Sequence, residues 1–307
     1  MDNPLITVFT PTYNRKENLI NCYQSLKNQS CYNFVWQVID DGSTDDTEQF
    51  VSTLIDKSPF EIEYIRVKNG GKCRAINQSF DITRTELWLC LDSDDVLVSN
   101  AIEIIEKNYP SIKNIHNICG FFSLRGKDEC TPMQDKSIPC DLMESTQQNI
   151  RYKLGIMPEY SHVFKTNIAK KFKYPTINNE NYFPLSYVYD QIDKDFVYKI
   201  IHRPLMVCEY RKDGLTKNKR KLIARNPIGY MLYKKQLAEL APTRKEQFKA
   251  ISTYITGCLL ARKNPFLINK LKLKILVFLF FPIGLIDYLL RYKLNFDLDF
   301  EVKTKKI

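Results

Sequence analysis

Four short runs of β-branched and aromatic residues, separated by stretches of helical character, constrain this chain more than any other feature. The runs are LITVFT at 5–10, FVWQVID at 34–40, EIEYIRV at 61–67 and ELWLCL at 86–91. Helical segments are predicted between them, near 16–28, 45–57 and 72–82. Strand, helix, strand, helix with short connections predicts an α/β fold, with right-handed crossovers and a mainly parallel sheet flanked by helices. Such sheets bind ligands beyond the carboxyl ends of their strands. The residues just after each run are therefore where chemistry is expected.

Beyond residue 117 the pattern becomes mixed. Strand-like runs (NICGFFSL, SHVF, LMVCEY) alternate with loops and a predicted helix at 186–197. From 219 onward helices dominate, and no internal repeat is present. Charge changes at the same place. Residues 1–215 carry 25 basic and 29 acidic side chains, and residues 216–307 carry 20 and 6, so the net +10 of the 307-residue chain belongs to its last third. Two domains are expected, 1–218 and 219–307, the second helical and basic. A basic balance confined to one end argues against a nucleic-acid partner for the main domain. The nine cysteines cannot all pair, and several sit in apolar runs (Cys90, Cys119) as reduced thiols would. The N-terminal MDNPLITVF lacks the build of a signal peptide, so a cytoplasmic location is expected.

Residues 275–290, ILVFLFFPIGLIDYLL, form an almost unbroken apolar run of 16. Lys270, Lys272 and Lys274 precede it, and Arg291 and Lys293 follow. The run falls short of the ~20 residues a span needs and contains Pro282, Gly284 and Asp287. Basic flanks beside a Pro-interrupted apolar run favour an interfacial or re-entrant element over a buried C-terminal helix. The expectation is peripheral association with an anionic membrane surface, at the inner face of the cell membrane.

The four strand ends carry Pro11-Thr12-Tyr13-Asn14-Arg15, Asp40-Asp41-Gly42-Ser43-Thr44-Asp45, Asn69-Gly70-Gly71-Lys72 and Asp92-Ser93-Asp94-Asp95. Asp40, Asp41, Asp92, Asp94 and Asp95 near one crevice require a counter-charge. Hard oxygen ligands suit a divalent cation, Mn²⁺ or Mg²⁺. Helix capping by Ser43 or Asp45 explains the second loop about as well, but a cap needs one carboxylate and DSDD offers three.

In this order, VFTPTYNR, VIDDGSTDDT, NGGKCRAIN and LDSDD (as a DxD motif) resemble the family 2 glycosyltransferases of bacterial surface-polysaccharide type. EYRKDGLTKN at 209–218 resembles the segment that closes their catalytic domain, so the likeness covers residues 4–218. The resemblance implies the GT-A fold, a nucleotide-sugar donor, a divalent metal and inversion at the anomeric carbon. Pro11 and Tyr13 would line the nucleoside pocket. Asp41 would accept from the imide N–H of uracil, which favours a UDP-sugar. Lys72 would contact the pyrophosphate or ribose, and Asp92 the ribose or sugar. Asp94 would ligate the metal, with Asp95 the next candidate ligand. A hexosyl- or N-acetylhexosaminyltransferase acting on a glycan or lipid-linked acceptor is the implied activity.

The acceptor base departs from the family pattern. Where relatives place Glu after the proline of this stretch, the chain has Leu185. Glu180 is the nearest remaining carboxylate and Asp190 the second, although Asp190, Asp193 and Asp195 also read as a solvated helix face. A non-catalytic nucleotide-sugar-binding protein at the membrane is the alternative. A nucleotidyltransferase would bring a Gly-rich basic loop after the first strand, and TPTYNR is not one. His162 and His202 read as ordinary packed or surface histidines, and Tyr182, Phe183, Tyr187 and Tyr189 as core.

Overall fold

A computed structural model describes residues 4–157, 159–208 and 219–293. The EYRKDGLTKN motif at 209–218 lies outside the described residues. The chain forms two compact units: residues 1–174 with 188–210, and residues 175–187 with 211–307.

In the first unit the apolar runs become strands in the predicted order. They are β1 (Ile6–Thr12), α1 (Lys16–Lys27), β2 (Phe34–Asp40), α2 (Thr47–Ile55), β3 (Glu61–Arg66), α3 (Lys72–Ile82) and β4 (Leu87–Cys90). Then follow β5 (Asp95–Leu97), α4 (Ala101–Asn108), β6 (Ile118–Leu124), β7 (Glu144–Ser145), α5 (Gln147–Tyr152), β8 (Tyr160–Lys165), α6 (Thr166–Ala169), α7 (Ser186–Asp195), β9 (Val197–Ile200) and β10 (Met206–Cys208). One eight-stranded sheet has the order β3-β2-β1-β4-β8-β6-β9-β7, and β5 and β10 pair separately. β1 lies between β2 and β4 and is parallel to both, as β2 is to β3. β8 runs antiparallel to its neighbours β4 and β6.

The chain thus leaves β1 in one direction, to β2 and β3, and returns on its other side as β4. A crevice opens at such a reversal, outside the carboxyl ends of the strands. β2 is buried along its whole length, which explains its near-continuous apolar run. Both tryptophan indoles in this core are paired. The indole N–H of Trp36 donates to Thr10 Oγ1 (2.9 Å) and that of Trp88 to Ser79 Oγ (2.8 Å). All nine cysteines are free thiols. β5 was not foreseen, because a run beginning inside DSDD reads as loop. Pairing with β10 makes it a strand.

β6 approaches β8 closely at Gly120, next to an irregularity in its pairing with β9. Gly120 has φ +151°, and a Cβ there would sit 1.8 Å from the Val163 carbonyl oxygen. Only glycine fits without moving β8.

From Lys219 the described residues of the second unit are mainly helical: α8 (Lys219–Arg225), α9 (Pro227–Leu240), α10 (Arg244–Leu260) and α11 (Leu271–Tyr288), while residues 175–185 are not. Pro227 opens α9, where its missing N–H costs nothing. Thr243 caps α10 by accepting from the Glu246 N–H at 3.2 Å. Ala238, Ile251, Ile255, Cys258, Leu273 and Val277 form a core of their own. Pro282 does not break the apolar run, as its position suggested. It lies inside one continuous helix, exposed, and interrupts a single backbone hydrogen bond.

Gly120→Ala should destabilise the first unit by roughly 2–4 kcal/mol, read as a lower urea midpoint at unchanged m-value. A midpoint within error of wild type would show that β8 can retreat freely.

Candidate active site

The loop after β1 turns at Asn14, whose φ of +51° is the left-handed conformation asparagine tolerates. Its backbone N–H donates to Ser43 Oγ (2.9 Å), and its side-chain oxygen accepts from the Thr44 N–H (2.7 Å). These bonds tie the first loop to the second. Asp40 shapes the second loop from within, accepting from the Ser43 N–H (2.7 Å) and from the Tyr64 hydroxyl (2.6 Å). Asp45 accepts from the Thr47 N–H and hydroxyl just ahead of α2, but the N-cap position is Asp46, which makes no side-chain cap bond, and not Asp45 or Ser43. Ser43 is instead spent on Asn14.

Asp41 joins the second loop to the third. Its two carboxylate oxygens accept from the backbone N–H groups of Gly70 (2.7 Å) and Gly71 (2.8 Å). Burial raises its pKa, while these two N–H groups pull it down. Lys72 joins the third loop to the fourth through Nζ and Asp92 Oδ1 (2.5 Å). Burial works against the Lys72 charge, but Asp92 outweighs it and raises the ammonium pKa. Arg15 closes the circuit, its guanidinium lying 2.8 Å from Asp94 Oδ2. Each strand-end loop is therefore bonded directly to the next, and the fourth returns to the first. Pro11 lies at the end of β1, and the half-exposed Tyr13 on the loop that follows.

A third ion pair lies deeper. Arg125, just past β6, donates to Asp95 Oδ2 at 2.9 Å and to the Tyr160 carbonyl at 3.2 Å. Burial pushes the Asp95 carboxyl up to about 6, against the pull of Arg125. The counter-charges for the acidic loop are thus Lys72, Arg15 and Arg125, where the sequence suggested a divalent cation. Arg125 was missed in the sequence. The available signal was a cation directly continuing the buried run NICGFFSL.

Among the described residues no three His, Cys, Asp or Glu side chains are grouped to hold a metal by themselves. A metal carried in on a diphosphate needs only one or two protein carboxylates. Asp94 fits that requirement: its side chain is 27% exposed and its partner Arg15 is 39% exposed, so the pair can open. Asp95 fits poorly, because its carboxylate is buried against Arg125.

The sequence profile of Glycosyl transferase family 2 matches residues 7–170, which include all four loops and the ring they form. The chain belongs to this family. Chondroitin synthase of Escherichia coli is 33% identical over 101 residues, 33% of this chain and 15% of that protein. The chain spans only 11–15% of the lengths of the first curated relatives it matches. Among solved structures, S. aureus TarS in complex with UDP-GlcNAc has a TM-score of 0.56 at 16% identity, covering 92% of this chain and 89% of that one. A mannosyltransferase from Pyrobaculum calidifontis, in complex with GDP-Man and Mn2+, has a TM-score of 0.53 at 15% identity, covering 92% and 81%. The family 2 chain has the GT-A fold, with a helical C-terminal region.

The two carboxylates considered for the acceptor base have other surroundings than their sequence suggested. Glu180 belongs to the helical unit. Its oxygens accept from the backbone N–H groups of Ile228 and Gly229, each at 2.7 Å, at the start of α9. Those donors have no partner within the helix, and a carboxylate there also meets the positive end of the helix dipole. Asn226 adds to the clasp by accepting from the N–H groups of Asn181 and Tyr182. Asp190 and Asp193 are buried, not solvated, and only Asp195 of that helix face is exposed. His162 is packed among Phe122, Phe164 and Tyr189, and burial pushes its pKa down to about 3.

Glu180→Gln should destabilise the protein by about 1–3 kcal/mol, because an amide turns one acceptor into a donor facing an N–H. Unchanged stability in chemical denaturation would remove the anchoring role.

Burial pushes the Asp193 carboxyl up to about 7, the Gln148 N–H opposing the rise and Asp190 adding to it. The folded state holds this proton more tightly than the unfolded chain, whose value is about 3.9. Stability is therefore lost as pH climbs from about 4 through 7. Asp193→Asn should raise Tm at pH 8, with the gain vanishing as pH falls toward 4. An equal gain at both ends would contradict this assignment.

Proposed function

We propose that the protein is a metal-dependent, inverting glycosyltransferase that moves a hexosyl or N-acetylhexosaminyl group from a UDP-sugar to a glycan or lipid-linked acceptor. The pathway would be surface polysaccharide synthesis at the inner face of the cell membrane. The observation that carries this reading is the closed ring of strand-end loops, in which Asp41, Lys72, Asp92 and Asp94 converge on the edge where a parallel sheet holds its ligands. Relatives named as polysaccharide synthases and a neighbour holding UDP-GlcNAc support it.

In this reading Pro11 and Tyr13 flank the nucleoside, with the exposed ring of Tyr13 as a stacking surface. Asp41 accepts from the base while keeping the glycine turn in place, since each carboxylate oxygen has a second lone pair. Lys72 lies toward the diphosphate and Asp92 toward the ribose or sugar. Asp94 would hold Mn²⁺ or Mg²⁺, and the metal would supply neutralisation of charge growing on the leaving diphosphate. With Asp94 so engaged, Arg15 would be left to face the phosphates. Asp95 keeps the loop seated through Arg125.

A second reading has its own observation. Leu185 stands in place of the expected acid, Glu180 is committed to α9 and Asp190 is buried. A nucleotide-sugar-binding protein without transfer would tolerate all three. Glu180 and Asp190 are the carboxylates through which a base would act.

A panel of UDP-sugars with Mn²⁺ and lipid-linked acceptors decides between them. Asp94→Ala should reduce transfer about a hundredfold or more and abolish the Mn²⁺-dependent gain in UDP affinity seen by calorimetry, with the fold retained. Full activity in that variant would overturn the metal role. UDP and Mn²⁺ binding without turnover in the wild type would favour the second reading.

A further inference from the structure

Helix α11 buries one face and leaves the other bare. Leu273, Val277 and Gly284 are buried in the helical unit. Gly284 makes the closest approach, since a Cβ there would lie 2.6 Å from Ile255 Cβ of α10. The Thr256 hydroxyl of α10 bonds Asp287 at 2.9 Å and the Gly284 carbonyl at 3.1 Å. The other face is apolar as well. Leu271, Ile275, Phe278, Leu279, Ile283 and Ile286 recur at helical spacing, and each is 52–73% exposed. This stripe runs most of an 18-residue helix, about 27 Å long. Scattered single hydrophobes are normal on a surface, whereas a continuous stripe of this length marks a partner.

Charge identifies the partner. Lys272 and Lys274 are exposed at one end of the stripe and Arg291 and Lys293 at the other. The whole segment 216–307 carries 20 basic against 6 acidic side chains. An apolar face framed by cations, in a basic module, complements an anionic phospholipid surface.

Leu271–Lys293 is long and apolar enough to cross a bilayer by length and composition. What packs behind it argues against crossing. α10 shares a core with both α9 and α11. Its first turns expose Arg244, Lys245 and Lys249, and α9 carries Lys235 and Glu239. A crossing α11 would draw these charges toward hydrocarbon or abandon the Thr256–Asp287 bond and the Gly284 contact. We infer that α11 lies in the plane of an anionic phospholipid bilayer, with its outer stripe among the acyl chains, its terminal cations at the headgroups and α10 on the water side. This rests on the reading of the helical unit as membrane-directed, and it fixes the element, the face and the depth.

The test uses the full chain with phosphatidylcholine vesicles, with and without phosphatidylglycerol. The wild type should bind the mixed vesicles. Phe278→Glu/Leu279→Glu/Ile283→Glu, on exposed positions and with an unchanged circular dichroism spectrum, should bind at least about tenfold more weakly. Phe278→Trp should be quenched most by lipids brominated near the headgroup end of the chain. Maximal quenching by lipids brominated at the bilayer centre would indicate a span and overturn the in-plane placement. Equal vesicle binding by the triple variant would overturn the assignment to this face while leaving the membrane reading intact. No vesicle binding by the wild type would overturn both. A solution dimer that dissociates in the triple variant, with no lipid binding, would assign the face to a second copy and overturn the inference.

Discussion

Carboxylates cannot be gathered at one sheet edge unless each meets a positive partner, and this constraint organises the first unit. Asp41 is met by two glycine N–H groups, Asp92 by Lys72, Asp94 by Arg15 and Asp95 by Arg125. Each partner comes from a different segment of chain than the acid it meets. Neutralising the edge therefore also fixes the loops against one another. Gly71, at φ +87°, lets the backbone itself serve as the partner for Asp41, because a side chain at that angle would be strained. The same contacts that lower the electrostatic cost make a rigid rim around the crevice between β1 and β4.

The sheet was legible because β1, β2 and β4 are largely buried on both sides and so announce themselves as short apolar runs with polar ends, while the half-buried edge strand β3 shows as alternation in EIEYIR. The strand-end loops followed from that alone. What was not legible was which charges meet. Arg125 lies 30 residues from Asp95, and only the neighbouring positions of β6 and β8 and the pairing of β5 with β10 bring them together. Without that geometry an isolated acidic triplet looks uncompensated, and a bound metal seems the natural remedy. The segment 175–187 likewise carries no compositional sign that it belongs with the helices. Its attachment to α9 rests on Glu180 and Asn226, which are single polar residues and not a pattern.

Glu180 and Asp190 show how a carboxylate misleads when read one at a time. Sequence offers proximity to a motif, and either residue then looks available. Burial changes the question. A buried carboxylate must have its lone pairs met, and Glu180 meets them with orphan donors of a helix whose first residue is proline. The demand comes from α9, nearly fifty residues later, so nothing local to Glu180 could reveal it. Asp193 is the opposite case, a carboxyl that burial keeps protonated to a higher pH than usual.

Charge balance also bears on the metal. At the crevice Asp92, Asp94 and Asp95 are already paired with cations, and Asp40 and Asp41 with N–H and O–H donors, before any ligand arrives. A nucleoside diphosphate would bring further negative charge into that balance, and Lys72, Arg15 and Arg125 are each already paired with an acid. Lys72 and Arg125 are fixed by the acids they neutralise. Of the three ion pairs, Arg15–Asp94 is the most exposed, at 39% and 27% against 32% and 25% for Lys72–Asp92. In the proposed reading Asp94 would hold a divalent cation entering with the diphosphate, which would answer the added charge and leave Arg15 for the same task. In that reading the demand for a metal comes from the donor and not from the acidic loop, so the lack of a three-ligand metal cluster among the described residues does not conflict with it.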